Sequence, residues 1–250
     1  MDRIPDDPLQ RELWLQRWAD EQAERLGPRE QPLTRRLRAG AAKKVERLVK
    51  RVEARAESRF DRDLHTGEMV LDDPEHAVAN RVAYVASEWH VLPRALWYLR
   101  AGRQDVFCDF GCGKGRVVHQ AARWPLRRVI GVEVSPGLAG FARSLLATHR
   151  QEHRCRSVEI VVADATTFEI PDDLTIAYFY DPFRGEILDA VLRNIIASIE
   201  RNPRRVRLIY VHPSQATRVL ETGRFRLLKE QRGGLRDIRL ARAAIFESVA

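Results

Sequence analysis

From residue 105 onward, short apolar runs alternate with stretches that have helical patterning. The apolar runs are DVFCDF, RRVIGVEV, VEIVVAD, TIAYFYDP and RRVRLIYVHP. Between them lie stretches such as GLAGFARSLLATHR and GEILDAVLRNIIASIE, whose apolar residues recur at helical spacing. A helix between two strands carries the chain back over the sheet and makes the strands parallel. The alternation therefore predicts a parallel sheet with helices on both faces.

The last two apolar runs follow a different rule. GRFRLLKEQRG and DIRLARAAIFESV are separated only by GLR, which is too short for a crossover helix. These two runs are therefore predicted to be an antiparallel pair. The predicted fold class is α/β: a Rossmann-like, seven-stranded, mostly parallel sheet that ends in an antiparallel hairpin and is preceded by an N-terminal helical extension.

Positive charge is concentrated in one short segment near the N-terminus. The 250 residues carry a net charge of +8, and residues 35–59 alone carry ten Lys or Arg and three Glu. We expect residues 1–60 to form a helical extension with this basic segment. Residues 61–104 are expected to form a helical lead-in. Residues 105–250 are expected to form the ligand-binding domain.

Three classes of protein are disfavoured by composition. No apolar run reaches the 18 residues that a membrane span needs, and the N-terminal MDRIPDDPLQ is too polar for a secretory signal. The three cysteines have no metal-binding spacing, so neither a metal nor a disulfide is expected. These features predict a cytoplasmic protein without a transmembrane segment.

Four acidic residues end or nearly end four successive strand-like runs: Asp109, Glu133, Asp164 and Asp181. In an open parallel sheet the ligand binds beyond the carboxyl ends of the strands, so these acids should share one pocket. A pocket with this much negative charge repels phosphate. It favours a cationic ligand that is rich in hydrogen-bond donors.

S-adenosylmethionine has these properties, since it carries a sulfonium, an ammonium, a ribose diol and an adenine amine. We expect Asp109 to lie near the ammonium and Glu133 to accept both ribose hydroxyls. Asp164 should accept from the adenine amine, with the amide of Ala165 facing a ring nitrogen. The glycines Gly111, Gly113 and Gly115 should let the backbone approach the cofactor closely. Phe110 completes this predicted set.

The motifs DFGCGKG, GVEVSP, ADA and FYDPF resemble those of class I S-adenosylmethionine-dependent methyltransferases, in the same order and spacing. Residues 80–230 resemble more closely a bacterial branch related to the non-SET histone-lysine methyltransferases. In that branch the lead-in helps to close over the cofactor, which implies that Tyr84 and Ser87 belong to the pocket. The resemblance concerns the fold and the cofactor, not the acceptor.

Two phosphate-binding motifs are close rivals, and neither is complete. A nicotinamide-binding G-x-G-x-x-G would need a third glycine where Arg116 stands. A P-loop would need Ser or Thr after Lys114, where this chain has Gly115.

Asp181 has two interpretations. It is a candidate catalytic residue, since relatives that methylate amines hold the amine with an Asn/Asp-Pro-Pro-aromatic motif, although Asp181-Pro182-Phe183 lacks one proline. It is also a candidate N-cap of the helix that follows. His212, at the end of the fifth run, is either a proton acceptor or a strand-end residue.

The predicted function is S-adenosylmethionine-dependent methyl transfer to an unidentified acceptor, with a protein or a small molecule favoured. One alternative is a non-catalytic cofactor-binding module with a helical partner-binding arm. The other is an RNA methyltransferase that binds nucleic acid through residues 35–59. That segment has no aromatic residues among its charges, so nucleic acid is possible but not favoured.

Overall fold

The structure is a computed structural model that describes residues 87–233 and 240–249. Tyr84, the predicted extension 1–60 and most of the predicted lead-in lie outside the described residues. None of the helices in the described ranges has the length and apolar character that a membrane span requires.

Five α-helices and seven β-strands make up the described part of the chain. In chain order they are α1 (Val91–Tyr98), β1 (Val106–Phe110), α2 (Arg116–Ala122), β2 (Arg128–Glu133), α3 (Pro136–Thr148), β3 (Ser157–Val162), β4 (Ile176–Tyr180), α4 (Gly185–Arg201), β5 (Arg207–Val211), α5 (Ala216–Glu221), β6 (Phe225–Gly233) and β7 (Leu240–Ser248). A short 3₁₀ turn, Arg150–Glu152, follows α3.

The seven strands form one sheet in the order β3-β2-β1-β4-β5-β7-β6. The five strands from β3 to β5 pair in parallel, and β7 pairs antiparallel with both β5 and β6. The predicted α/β fold with a seven-stranded, mostly parallel sheet is therefore confirmed, including the antiparallel pair at its end, whereas the predicted N-terminal extension lies outside the described residues.

Successive side chains along each strand point to opposite faces of the sheet, so the core has two layers. On one face, Phe107, Tyr178 and Ile209 pack under α1, α2 and α3. On the other face, Cys108 and Phe179 lie among the residues that pack under α4. Both layers are nearly free of solvent. Since a fully buried aliphatic or aromatic side chain contributes roughly 1.5–3 kcal/mol, this burial dominates the stability of the fold.

Helix α1 accommodates a proline near its start. The helix begins at Val91, so Pro93 lies inside its first turn. The first amides of a helix have no intrahelical acceptor, and a proline there loses no hydrogen bond.

The glycine-rich turn between β1 and α2 is tied to the neighbouring strand. The amides of Gly111 and Cys112 both donate to the carbonyl of Val132, at 2.8 and 3.0 Å. Gly111, Gly113 and Gly115 all have positive φ angles, of 78°, 54° and 83°. Glycine adopts this conformation without the steric cost that other residues incur. The turn thereby lies at the carboxyl end of the sheet, where the predicted pocket should be.

Candidate functional site

A cavity of about 380 Å³ lies at the carboxyl ends of the parallel strands. This volume is in the range of small-molecule sites. Eight of the predicted site residues line it: Ser87, Asp109, Gly111, Gly113, Glu133, Asp164, Ala165 and Asp181. The structure therefore brings together all four strand-end acids, as the sequence predicts.

Asp109 lies deepest among these acids. It is the fourth residue of β1, and its side chain is only 3% exposed. Burial, together with the nearby charge of Glu133, raises the pKa of Asp109 well above its ordinary value. A buried carboxyl group in this position would be stabilised by a cation, because the cation would offset both effects.

Glu133 is held at the end of β2 by two backbone amides. Its Oε2 accepts from Gly113 N at 2.8 Å, and its Oε1 accepts from Ser135 N at 3.0 Å. The carboxylate therefore fixes the glycine-rich turn as well as facing the cavity. Each carboxylate oxygen can accept more than one hydrogen bond, so the same group can also accept from a diol.

Asp164 follows β3 and is held in a local turn. Its Oδ1 accepts from the backbone N and the hydroxyl of Thr166, at 2.9 and 2.8 Å. Ala165, next to it, is buried and also lines the cavity. These contacts fix the orientation of the carboxylate at the cavity wall.

The structure does not bring Phe110 or Gly115 into the cavity lining. The Phe110 ring lies on the opposite face of the sheet, in edge contact with Phe179 and Phe168. Gly115 lies against α3, and a Cβ added to it would be 2.8 Å from the Cβ of Ala142. Because side chains alternate along β1, Phe110 points away from the cavity. The glycine at position 115 is required by its close packing against α3, not by contact with a ligand.

Asp181 lines the cavity, and its interpretation as a helix N-cap is wrong. Helix α4 begins only at Gly185, whose amide donates to the side chain of Gln215. Instead, Oδ1 of Asp181 accepts from the hydroxyls of Tyr210 and Ser214, both at 2.8 Å. The guanidinium of Arg184 forms an ion pair with the same oxygen at 2.6 Å. These donors draw the carboxylate toward β5 and away from the α4 amides.

Two residues of the site carried no recognisable signal in the sequence. Arg116 lines the cavity, although it is 3% exposed and only the first residue of α2. Its Nη1 donates to the carbonyl of Ser87 at 3.0 Å, and its guanidinium lies 5.0 Å from the ring centre of Trp89. Arg116 therefore holds the lead-in segment against the glycine-rich turn.

Glu88 is the second such residue. It accepts from the hydroxyl of Tyr180 at 2.9 Å, and its other oxygen lies 3.4 Å from Nε2 of His212. Tyr180 and His212 both line the cavity. In the sequence Glu88 is one acid in a helical lead-in, and only the fold places it beside β4 and β5.

The chemistry of this lining fits S-adenosylmethionine. Four carboxylates line one cavity and provide several hydrogen-bond acceptors for the ammonium, ribose hydroxyls and adenine amine of such a ligand. Gly111 and Gly113 also line the cavity and add no side chain to it. Residues with these properties suit a cation with many donors and no phosphate.

Comparison with known proteins also indicates a methyltransferase. Residues 107–202 match a family model described as a methyltransferase domain. The chain therefore contains a methyltransferase domain, in a fold of the class I type. A solved structure of an S-adenosylmethionine-dependent methyltransferase from Aquifex aeolicus has the same fold, with a TM-score of 0.51. The two are 11% identical, and the match covers 63% of this chain and 89% of that one.

Two further similarities involve methyltransferases. A histone-lysine N-methyltransferase specific for H3 lysine-79, from Dictyostelium discoideum, is 40% identical over 62 residues. This match covers 25% of the present chain and spans 3% of the length of that relative. An RNA methyltransferase from Salinibacter ruber, solved with S-adenosyl-L-homocysteine, aligns with a TM-score of 0.46 and 20% identity, over 66% of this chain and 92% of that one.

The predicted enzyme class and its cofactor are therefore confirmed. The cofactor supplies an electrophilic methyl group bound to a sulfonium. The role of the methyltransferase's own residues is to bind that group and to orient the acceptor toward it. The incomplete nicotinamide and P-loop motifs correspond to a turn in which the amide of Gly113 donates to the carboxylate of Glu133.

Proposed function

We propose that this methyltransferase transfers the methyl group to an amino nitrogen of a protein or a small molecule. The observation that carries the proposal is the carboxylate of Asp181 at the cavity wall, held by Tyr210, Ser214 and Arg184. A carboxylate fixed in this way can accept hydrogens from an amine and align its lone pair. A rigidly held acceptor group provides positioning, which is the main requirement of a direct displacement.

The surroundings of Asp181 support a cationic acceptor. Phe183 is buried at the cavity wall, and Tyr180 lies on the other side of Asp181 in the chain. Aromatic rings beside carboxylates favour ammonium groups through their electron-rich faces. The short match to a histone-lysine N-methyltransferase agrees with an amine, because that relative is named for transfer to lysine.

The predicted cofactor residues are assigned to the methyl donor in the same proposal. Asp109 faces the ammonium, Glu133 the ribose, and Asp164 with Ala165 the adenine. What supports these roles is that all four line one cavity. We further propose that the lead-in, residues 61–104, closes over the donor, and that residues 105–250 form the cofactor-binding domain. The contact between Arg116 and the Ser87 carbonyl supports this arrangement.

The test is transfer of a radiolabelled methyl group from S-adenosylmethionine into a lysate of the source cell that lacks the gene. The labelled products are separated by size, and the acceptor fraction is hydrolysed in acid. An N-methyl group survives acid hydrolysis and stays with its amino acid or amine. We expect acid-stable label that is not released by mild base.

The matched control is Asp109→Asn, which keeps the shape of the side chain and removes its negative charge. This variant should transfer little label, because the ammonium group of the cofactor loses its anionic partner. Label released by mild base as methanol would identify a carboxyl acceptor and contradict the proposal. Label found in RNA would contradict it as well.

A further inference from the structure

Backbone strain is concentrated at two neighbouring positions beside the cavity. Asp181 and His212 have φ angles of +45° and +48°. In the described residues, Arg100 is the only other residue besides glycine with a positive φ. Tyr180 pairs with Val211 across β4 and β5, so the two strained residues directly follow paired strand ends. A left-handed conformation costs about 1–2 kcal/mol in such residues, and it persists where surrounding contacts impose it.

The contacts that hold His212 come from Glu88 and Tyr180. Nε2 of His212 lies 3.4 Å from Oε1 of Glu88, and the Tyr180 hydroxyl donates to Oε2 of the same carboxylate at 2.9 Å. The rings of Tyr180 and His212 are 5.3 Å apart, edge to face. The imidazole lines the cavity. The Glu88 carboxylate contacts it and fixes its orientation.

The two carboxylates near His212 both raise its pKa. The groups that face it are Glu88 from the lead-in, Tyr180 at the end of β4 and Asp181 directly after it. The hydrogen bond to Glu88 raises the pKa of His212 and outweighs the opposing effect of burial. Burial would raise the pKa of Glu88, but its bonds to His212 and Tyr180 lower it, so this carboxylate stays charged at neutral pH.

We propose that His212, oriented by Glu88, is the group that removes a proton from the acceptor amine. This rests on the proposed function, because an amine is an ammonium ion at neutral pH and has no lone pair for attack until it loses a proton. Asp181, on the adjacent strand end, holds the same nitrogen. The two strained residues then have different roles, because Asp181 orients the acceptor and His212 deprotonates it.

Since Glu88 is a charged acceptor, Nε2 of His212 carries a hydrogen, and the lone pair is on Nδ1. The ammonium gives one proton to Nδ1 and becomes a neutral amine. Its lone pair forms the new bond from nitrogen to the methyl carbon, the bond from that carbon to sulfur breaks, and the electron pair stays on sulfur. The products are a methylated ammonium, a protonated His212 and a neutral thioether.

The first test needs no acceptor. NMR titration of the His212 ring in the protein bound to S-adenosylhomocysteine should give a pKa above 6.5. In Glu88→Gln, which keeps the size of the side chain and removes its charge, this pKa should fall, because the group that raises it is gone. An identical titration in both proteins would overturn the role of Glu88 as the orienting group.

The second test is the pH dependence of methyl transfer to the lysate fraction that takes up label in the preceding experiment. The wild-type rate should rise with pH through the pKa of His212, because only the neutral ring accepts a proton. In Glu88→Gln this rise should move to lower pH. In His212→Asn the rise should disappear and the rate at pH 7 should fall by about a hundredfold or more. Asn is suited to the position because it tolerates a positive φ.

The control for the second test is His153→Asn, which removes an imidazole that does not line the cavity. Its pH profile should match that of the wild-type protein. Affinity for S-adenosylhomocysteine should be unchanged in His212→Asn, which separates a catalytic effect from a loss of cofactor binding.

The two proposals fail in different ways. Absence of N-methyl product from the wild-type protein would overturn the proposed function and, with it, the role of His212. Active wild-type protein together with a His212→Asn variant of unchanged rate and pH profile would overturn the role of His212 alone.

Discussion

Substitution of Gly115 by alanine tests the packing that places the glycine-rich turn. Gly115 has a φ of +83° and caps α2, and an added Cβ would lie 2.8 Å from Ala142 Cβ and 3.2 Å from its Cα. Two costs follow. Alanine in the left-handed region costs about 1–2 kcal/mol, and an overpacked methyl group costs roughly 1–3 kcal/mol.

The unfolded chain offsets part of this loss. Replacing glycine by alanine reduces the entropy of the unfolded state, which is worth about 0.4–1 kcal/mol. The net loss for Gly115→Ala should therefore be about 2–4 kcal/mol. For a domain of this size, that corresponds to a decrease in Tm of roughly 5–15 °C. Thermal melting followed by circular dichroism measures it.

Gly140→Ala is the matched control. Gly140 is exposed within α3, and a Cβ added there would contact nothing within 4 Å. This variant should be more stable than the wild-type protein by about 0.4–1 kcal/mol. If Gly115→Ala melted at the wild-type temperature, the close approach of Gly115 to α3 would be incorrect. If it melted normally but lost cofactor affinity, Gly115 would belong to the binding site after all.

Three other changes test the site and its surroundings. Glu133→Ala should weaken binding of S-adenosylhomocysteine about tenfold to a hundredfold by calorimetry, and should also lower Tm, since two backbone amides lose their acceptor. Asp181→Asn should melt within about 1 kcal/mol of the wild-type protein but transfer methyl slowly. Asp181→Ala should also lose about 1–3 kcal/mol of stability, because the buried Tyr210 hydroxyl loses its acceptor. Full activity of the Asn variant would remove Asp181 from the mechanism. Burial lowers the pKa of His119 from 6.5 to about 4. As the pH falls between these two values, His119 binds a proton in the unfolded chain but not in the folded protein. Stability should decrease over that interval by up to about 3 kcal/mol, and urea unfolding of His119→Gln at pH 7 and 4.5 should show a smaller decrease.

The sheet and the position of the site follow from the sequence because both depend on periodic patterns. Alternating apolar runs predict parallel strands, and acids such as Asp109 and Asp164 at their ends predict a shared pocket. The short GLR connection predicts the final hairpin for an equally local reason. In each instance, the feature depends on residues close together in the chain.

The rest of the site depends on contacts between residues that are far apart in the chain. Glu88 and His212 are 124 positions apart and meet only because the fold places the lead-in beside the end of β5. The cap prediction at Asp181 is wrong because Tyr210, on the next strand, competes for its carboxylate. The packing role of Gly115 required knowledge that α3 passes directly over it.

Calorimetric titration of the full chain with S-adenosylmethionine, and separately with NAD, tests the central claim most directly. The claim is that the strand-end carboxylates form a site for a cation-bearing methyl donor that carries no phosphate. We expect saturable binding of S-adenosylmethionine and no heat of binding with NAD. Tight binding of NAD with no response to S-adenosylmethionine would contradict the account.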